Sequence, residues 1–212
     1  MSNVVLNRVS DALVIVDVQN DFCPGGTLPV DEGEVIIPVI NDLCARFSHI
    51  LLTQDWHPRD HRSFASQHPG AAPFDTTQMP YGQQTLWPDH CVQGTRGAEF
   101  HDRLDVSRAE LVIRKGFRSD IDSYSAFFEN DRKTPTGLTG YLKERGFTRL
   151  FFTGIATDVC VAYSALDSQA QGFDTVVVED GCAAIDANGC LTQVRTQMET
   201  QGIALLPSAA IR

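Results

Sequence analysis

The stretch Leu150-Phe-Phe-Thr-Gly-Ile-Ala-Thr-Asp-Val-Cys160 decides the fold, because an apolar run changes there into a segment with helical spacing. The run from Leu150 to Thr153 is nearly continuously apolar, as a buried strand of a parallel sheet is. Apolar and small residues then return at helical spacing, which predicts a helix over 158–171. A strand that passes directly into a helix is half of a βαβ unit, so this stretch predicts a parallel α/β sheet.

Cys160 lies in the first turn of that predicted helix. Unpaired backbone N–H groups and the positive end of the helix dipole favour a thiolate at such a position. The same N–H groups can stabilise an oxyanion when a thiolate attacks a carbonyl group. The position therefore suits a catalytic nucleophile, and the alternative is an inert thiol that packs beneath the helix.

The same alternation of strand and helix extends along the rest of the chain. Five further short apolar runs are candidate strands, at 12–17, 50–53, 110–115, 175–179 and 203–206. Helical spacing predicts the remaining helices over 34–47, 136–145 and 188–201, and C-cap glycines follow three of the four helices at Gly146, Gly172 and Gly202. The sequence therefore predicts an α/β fold, a three-layer α/β/α sandwich whose doubly wound, mostly parallel sheet has roughly six strands. We expect one domain over residues 1–212.

Charge and cysteine content limit the partners and the compartment. The 212 residues carry a formal net charge of -10 and no basic block, which argues against nucleic acid or an anionic membrane as partner. No apolar run approaches the ~20 residues of a membrane span, and the first eight residues lack a secretory signal core. The six cysteines form no CxxC pair, which favours reduced thiols and a cytoplasmic protein.

Two more reactive side chains stand at the ends of predicted strands. Ligands of open α/β sheets bind beyond the carboxyl ends of the strands, where Asp17, Lys115 and the Cys160 turn are expected to meet. Asp17 has the chemistry of a general base towards the thiol, and the Lys115 ammonium would hold Asp17 ionised. The alternative for each is a solvated charge at a strand end.

The segment 55–100 lacks a strong periodicity and contains a second group of candidate residues. Asp55 and His57 follow a strand end, two residues apart, and His61 and His90 come later in the same segment. A carboxylate and imidazoles suit a divalent ion such as Zn²⁺, Fe²⁺ or Mn²⁺. We therefore expect a metal-binding loop region at about 55–100. We assign His49, His68 and His101 structural roles.

A thiol nucleophile together with a metal site allows two kinds of chemistry. Either the metal activates water as the nucleophile, or the thiol attacks and the metal positions the substrate. The residues alone leave this choice open.

Five motifs together resemble the cysteine hydrolase (isochorismatase-like) superfamily and, within it, the nicotinamidase (pyrazinamidase) family. They are Asp17 with Gln19-Asn-Asp-Phe22, Asp55-Trp-His57, Trp87-Pro-Asp-His-Cys-Val-Gln93, Lys115-Gly116 and Gly154-Ile-Ala-Thr-Asp-Val-Cys160. The match runs from about residue 11 to residue 180. It implies a catalytic triad of Asp17, Lys115 and Cys160.

The resemblance also implies the remaining parts of an active site. Its metal ligands would be Asp55, His57, His61 and His90, holding one divalent ion. Its ring-binding aromatics would be Phe22, Trp87 and Tyr124. The oxyanion would be held by backbone N–H groups of Ala156 and Cys160, beside a cis peptide bond between Ile155 and Ala156.

The activity that this resemblance implies is hydrolysis of nicotinamide to nicotinate and ammonia through a cysteine thioester. The partner would be a small molecule such as nicotinamide or a pyrazinamide-like aromatic amide, and the resemblance allows a homo-oligomer. One alternative is another isochorismatase-like hydrolase that acts on a different amide or on isochorismate. A second alternative is a binding protein that has the fold without its catalysis.

Overall fold

The structure, a computed structural model that describes residues 3–186 and 189–212, contains a central parallel sheet. The strands of this sheet are β1 Asp11–Val16, β2 Ile50–Asp55, β5 Leu111–Lys115, β6 Arg149–Ile155, β7 Asp174–Ala183 and β8 Ala204–Leu206. Two further strands, β3 Thr76–Met79 and β4 Gly82–Thr85, form a separate hairpin. The sheet order is β5-β2-β1-β6-β7-β8, and every pairing within it is parallel. The predicted six-stranded parallel sheet is confirmed.

Helices cover both faces of this sheet. Within the described residues they are α1 Ile37–Arg46, α2 Leu138–Glu144, α3 Ala162–Ala170 and α4 Cys190–Thr200. Leu13 and Ile15 of β1 point into the core layer of α1, whereas Ala12, Val14 and Val16 point into the layer of α2, α3 and α4. Because both faces of β1 are buried, the strand is apolar from Ala12 to Val16, and the fold is the predicted three-layer α/β/α sandwich.

The helix boundaries differ from the predicted ones at several ends. The first helix begins at Ile37 rather than at 34, because residues 31–36 form turns. Position 188, the predicted start of the last helix, lies outside the described residues, and α4 begins at Cys190. The predicted helix over 158–171 is a π-helical turn, Thr157–Val161, followed by α3.

The segment after β2 contains a hairpin that periodicity did not indicate. Strands β3 and β4 pair in antiparallel register, with Thr76 opposite Thr85 and Met79 opposite Gly82. Their residues are mostly Thr and Gln, so no apolar alternation marks them. No helix among residues 3–186 and 189–212 is long and apolar enough to cross a membrane.

The order of the strands places a ligand crevice at one end of the sheet. The chain moves outward from β1 to β2 and β5, then crosses back to β6 on the other side of β1. Such a reversal is where ligands bind in doubly wound sheets. Gly154 of β6 pairs with Val16 of β1 at this point, with a φ of 115°, and a Cβ atom there would collide with the Val16 backbone.

Candidate active site

Lys115 is the centre of a buried charged cluster at the crevice. Its Nζ lies 2.7 Å from Asp17 Oδ2 and 3.8 Å from Cys160 Sγ. Lys115 and Asp17 are fully excluded from solvent, and Cys160 is 7% exposed. Three strand ends thus bring together the acid, the amine and the thiol that the sequence singled out. Burial excludes the solvated-charge alternative for Asp17 and Lys115.

Local backbone geometry turns Asp17 into this cluster. Asp17 follows β1 with a φ of 48°, a left-handed conformation that costs a non-glycine residue roughly 1–2 kcal/mol. Thr53 of β2 fixes the turn, because its hydroxyl donates to Asp17 Oδ1 at 2.6 Å and accepts from the Asp17 backbone N–H at 3.2 Å. Sequence reasoning missed Thr53, whose only signal is its position near the end of a neighbouring strand.

Burial dominates the titration of the acid and the thiol. Burial raises the pKa of Asp17 to about 6, although the Lys115 ammonium opposes the shift. Burial also raises the pKa of Cys160 well above its usual value, again against the effect of Lys115. Burial therefore opposes the thiolate that the helix end and Lys115 favour.

The ammonium of Lys115 stays charged in this environment. Burial alone would lower the pKa of Lys115, but the carboxylates of Asp17 and Asp55 raise it well above its usual value. A carboxylate oxygen of Asp17 lies within 4.8 Å of the Cys160 sulfur, so a short movement brings base and thiol into proton-transfer distance. The cluster is suited to nucleophilic catalysis by the thiol.

The Cys160 turn begins where β6 ends. The peptide bond between Ile155 and Ala156 is cis, as the family resemblance implies. The Ala156 carbonyl accepts hydrogen bonds from the N–H groups of Val159 and Val161, both at 3.1 Å, and the Cys160 N–H lies between them. These two bonds close the turn that positions Cys160 directly after β6.

Asp158 anchors the same turn, and sequence reasoning assigned it no role. Its carboxylate accepts from the backbone N–H groups of Ile185 at 3.0 Å and Asp186 at 2.8 Å. This links the Cys160 turn to the loop that follows β7. Its signal was its place in the quoted motif two residues before the thiol.

Asp55, His57 and His90 form a second group beside the charged cluster. Asp55 Oδ1 forms an ion pair with Lys115, and Asp55 Oδ2 lies 3.6 Å from His57 Nε2 and 3.8 Å from His90 Nε2. All three side chains are buried, and one donor atom from each lies within 4.8 Å of the others. The predicted trio is therefore brought together.

Backbone carbonyls orient both imidazoles of this group. His57 Nδ1 donates to Gly116 O at 2.9 Å, and His90 Nδ1 donates to Pro88 O at 2.8 Å. Because Nδ1 is used in this bond, each Nε2 faces Asp55 and is the nitrogen that would bind a metal ion. Gly116 has a φ of 62°, and a Cβ atom there would collide with the His57 ring, which explains the Lys115-Gly116 motif. This donor set, one carboxylate and two oriented imidazoles, fits a divalent transition ion.

His61 is not brought into that group. Its Nε2 lies 3.3 Å from Ile121 O, a contact that requires a proton on Nε2, and its Nδ1 accepts from Ser63 at 2.7 Å. Burial, with His57 adding to the effect, lowers the pKa of His61 to about 4, so the ring is neutral. His61 thus donates through Nε2, whereas His57 donates through Nδ1. His61 groups instead with His57 and Asp122.

The three predicted aromatic residues line one narrow pocket with Cys160 and His90. The Phe22 ring lies 5.5 Å from the His90 ring, and the Trp87 and Tyr124 rings meet edge to face at 6.1 Å. Sequence reasoning missed four other lining residues: Leu28, Asp122, Val159 and Ile185.

Asp122 is the most informative of the missed residues. It is 2% exposed, and its carboxylate accepts from Gln84 Nε2 and from the Ser123 N–H, both at 2.8 Å. Gln84 belongs to the hairpin strand that the sequence did not reveal, so no pattern linked it to the site.

The three histidines with predicted structural roles lie outside this site. His49 pairs with Glu110 at 2.5 Å, His68 contacts the Arg62 carbonyl at 2.8 Å, and His101 lies 3.9 Å from Glu34. Each contact is a surface hydrogen bond or ion pair, as expected for a structural residue.

Fold and site together define a cysteine hydrolase, and residues 11–209 match the isochorismatase domain family, so the chain belongs to that family. Among its relatives is a nicotinamidase from Acinetobacter baylyi, 54% identical over 200 residues that cover 94% of each chain. The structure of PnC1 from L. infantum in complex with nicotinate is 38% identical, with a TM-score of 0.88 and coverage of 99% of this chain and 98% of that chain. The structure of the pyrazinamidase of Pyrococcus horikoshii in complex with zinc is 33% identical, with a TM-score of 0.77 and coverage of 93% and 99%. The resemblance inferred from the motifs is confirmed.

Proposed function

We propose that this protein hydrolyses nicotinamide to nicotinate and ammonia, with Cys160 as the nucleophile. The observation that carries the proposal is the buried cluster of Asp17, Lys115 and Cys160 at the floor of an aromatic pocket. The 54% identity to a nicotinamidase over nearly the whole chain supports the substrate.

The acylation half of the reaction begins with proton transfer from the Cys160 thiol to Asp17. The thiolate attacks the amide carbon, and the carbonyl electrons move to oxygen to form a tetrahedral oxyanion. When the oxyanion collapses, the carbon–nitrogen bond breaks. Asp17 returns its proton to the departing nitrogen, so ammonia leaves and a Cys160 thioester remains.

Hydrolysis of the thioester repeats these steps with water. Asp17 takes a proton from water, the resulting hydroxide attacks the thioester carbon, and the carbon–sulfur bond breaks. The thiolate recovers the proton from Asp17, and the acid product loses its proton to solvent and is released as nicotinate. Two transfers through one carboxylate suit a group whose pKa lies at about 6, near neutral pH.

Lys115 and the backbone stabilise the charges that this route creates. The ammonium balances the Asp17 carboxylate and lies 3.8 Å from the sulfur, so it favours the transient thiolate. The backbone N–H groups of Ala156 and Cys160 would hold the oxyanion, which is the role that the π-helical turn suits.

We also propose that Asp55, His57 and His90 hold one divalent ion, Zn²⁺, Fe²⁺ or Mn²⁺. Their oriented donor atoms support this, as does the zinc in the Pyrococcus horikoshii structure. When bound, the ion would coordinate the pyridine nitrogen and orient the ring. His61 remains a predicted ligand, and its present hydrogen bonds would have to break for it to bind.

The aromatic residues would hold the ring itself. Phe22, Trp87 and Tyr124 line the pocket that contains Cys160, and aromatic side chains suit stacking on a flat pyridine ring. Pyrazinamide-like amides have the same shape and are expected substrates. The nicotinate product would feed NAD salvage.

We place the whole chain, 1–212, in one cysteine hydrolase domain, which the family match over 11–209 supports. A cytoplasmic location is proposed as well. All six cysteines are free thiols, as expected in a reducing compartment.

The test is ammonia release from nicotinamide by purified, metal-loaded protein. We expect turnover that a chelator suppresses and that Cys160→Ala abolishes while the variant still binds nicotinamide. Cys44→Ala is a matched control, since Cys44 is also buried but belongs to α1 and packs in the core away from the site. Undiminished turnover by Cys160→Ala would disprove the thiol mechanism, and absence of release from folded wild-type protein would disprove the substrate.

A further inference from the structure

Gln19 belongs to the recognised Asp17 motif but has no role in the chemistry above. Its side chain is fully buried. The amide oxygen accepts from the Asp55 backbone N–H at 2.8 Å, and the amide nitrogen donates to the Asp55 carbonyl oxygen at 2.8 Å. A second bond from the same nitrogen reaches Ala98 O at 2.9 Å. One side chain thus satisfies both backbone groups of a proposed metal ligand.

The point at which β1 stops pairing with β2 explains why the Asp55 backbone needs Gln19 as a partner. The pairing of β1 with β2 extends to Ile15 and Leu52, and Asp17 then turns the chain away. On its other side β2 continues to pair with β5, with Asp55 opposite Lys115 and the Trp56 N–H bonded to Lys115 O at 3.0 Å.

The N–H and C=O groups of a single strand residue point to the same side of the strand. Those of Asp55 point towards β1, where the main chain has already left the sheet. Without Gln19 both groups would be buried without partners, which costs roughly 1–3 kcal/mol for each group. The side-chain amide replaces the missing strand.

We infer that Gln19 is a positioning residue that sets metal affinity by fixing the backbone of Asp55. The inference rests on the proposed metal site. The Asp55 carboxylate must direct one oxygen to Lys115 and the other to the imidazoles, so a small rotation of its backbone would disturb both contacts. Residues that orient metal ligands typically change affinity about 10–100-fold when substituted.

Gln54 provides a matched control. Its Nε2 donates to the same Ala98 carbonyl at 2.9 Å, and its side chain is also buried. Its described hydrogen bonds do not include the Asp55 backbone. Replacing either glutamine therefore removes a buried amide and its hydrogen bond to Ala98 O. Only the Gln19 variant also loses the two hydrogen bonds to the Asp55 backbone.

The experiment measures zinc affinity by chelator competition for the wild type, Gln19→Met and Gln54→Met. Methionine keeps the side-chain volume, and Gln19→Ala serves as a second variant if the first fails to fold. We expect the Gln19 variant to weaken zinc binding about 10–100-fold, the Gln54 variant to change it less than about threefold, and excess zinc to restore turnover by the Gln19 variant.

Equal changes in the two variants, or unchanged affinity in the Gln19 variant, would overturn the inference. A wild-type protein that binds no zinc or other divalent ion would instead overturn the proposed metal site. The two failures are therefore distinguished by the wild-type measurement alone.

Discussion

The Lys115 ammonium lies 2.7 Å from the Asp17 carboxylate, and both side chains are completely excluded from solvent. A second carboxylate, that of Asp55, contacts the same ammonium. One cation thus balances two buried anions, one proposed as the general base and the other as a metal ligand. The catalytic and metal-binding halves of the site are electrostatically joined through Lys115.

Removing this cation should destabilise the protein strongly. Lys115→Met leaves two buried carboxylates without a counter-charge, so we expect the free energy of unfolding of the metal-free protein to fall by about 3–5 kcal/mol. Urea denaturation measures the change. Lys143→Met, an exposed substitution on α2, should stay within about 0.5 kcal/mol of wild type. Equal stability of the two variants would show that Lys115 does not balance these charges.

Activity should fall in acid as Asp17 becomes protonated. Burial raises the pKa of Asp17 to about 6, and a general base works only in its deprotonated form. We therefore expect kcat/KM to be retained above pH 6 and to fall about tenfold per pH unit below it. The measurement is a kcat/KM profile, with circular dichroism at each pH to verify folding. A profile that stays flat down to about pH 4 would remove Asp17 as the base.

Much of the fold could be predicted because buried parallel strands are continuously apolar. Leu150 to Thr153 and the other apolar runs identified all six strands of the central sheet. The hairpin of β3 and β4 could not be predicted, since Thr76 and Gln84 belong to strands whose residues are mostly polar. Gln84 of this hairpin instead bonds to Asp122 and Tyr124 of the site, contacts that no periodic pattern marks.

The candidate site also contains residues that could be predicted from the sequence and residues that could not. Asp17, Lys115 and Cys160 could be predicted because strand order alone brings their strand ends together. Thr53 and Asp122 could not, because their roles depend on hydrogen bonds between segments distant in the chain. The raised pKa of Cys160 also could not be predicted, because it depends on how deeply the side chain is buried in the folded protein.

The two neighbouring histidines should differ in their effect on metal binding. His57 Nε2 faces Asp55 Oδ2 at 3.6 Å, within the proposed metal site, whereas both nitrogens of His61 have hydrogen-bond partners outside it. We expect His57→Ala to weaken zinc affinity by more than about 100-fold, beyond the range for supporting residues, and His61→Ala by about tenfold or less. Chelator competition measures both. An equal loss in the two variants would establish the four-ligand set that the family resemblance implies.

The position of the Trp87 ring in the pocket should depend on the Tyr124 hydroxyl. Tyr124 Oη accepts from Trp87 Nε1 at 3.2 Å and from Gln84 Nε2 at 2.9 Å, so it fixes the Trp87 ring. Tyr124→Phe removes this acceptor at a cost of about 1 kcal/mol, which predicts a KM for nicotinamide about fivefold higher. We expect kcat to change little, because the hydroxyl is proposed to position the ring rather than to touch the reacting carbonyl.

Tyr163→Phe is the control for that substitution. Tyr163 packs edge to face on Tyr124 at 5.3 Å but is 42% exposed. Loss of its hydroxyl should therefore leave the Trp87 and Tyr124 rings of the pocket in place. Steady-state kinetics with nicotinamide should therefore separate the two tyrosines, with KM raised only in the Tyr124 variant. If both variants kept the wild-type KM, the Trp87 ring would be held by packing alone, and the hydroxyl network would have no part in substrate binding.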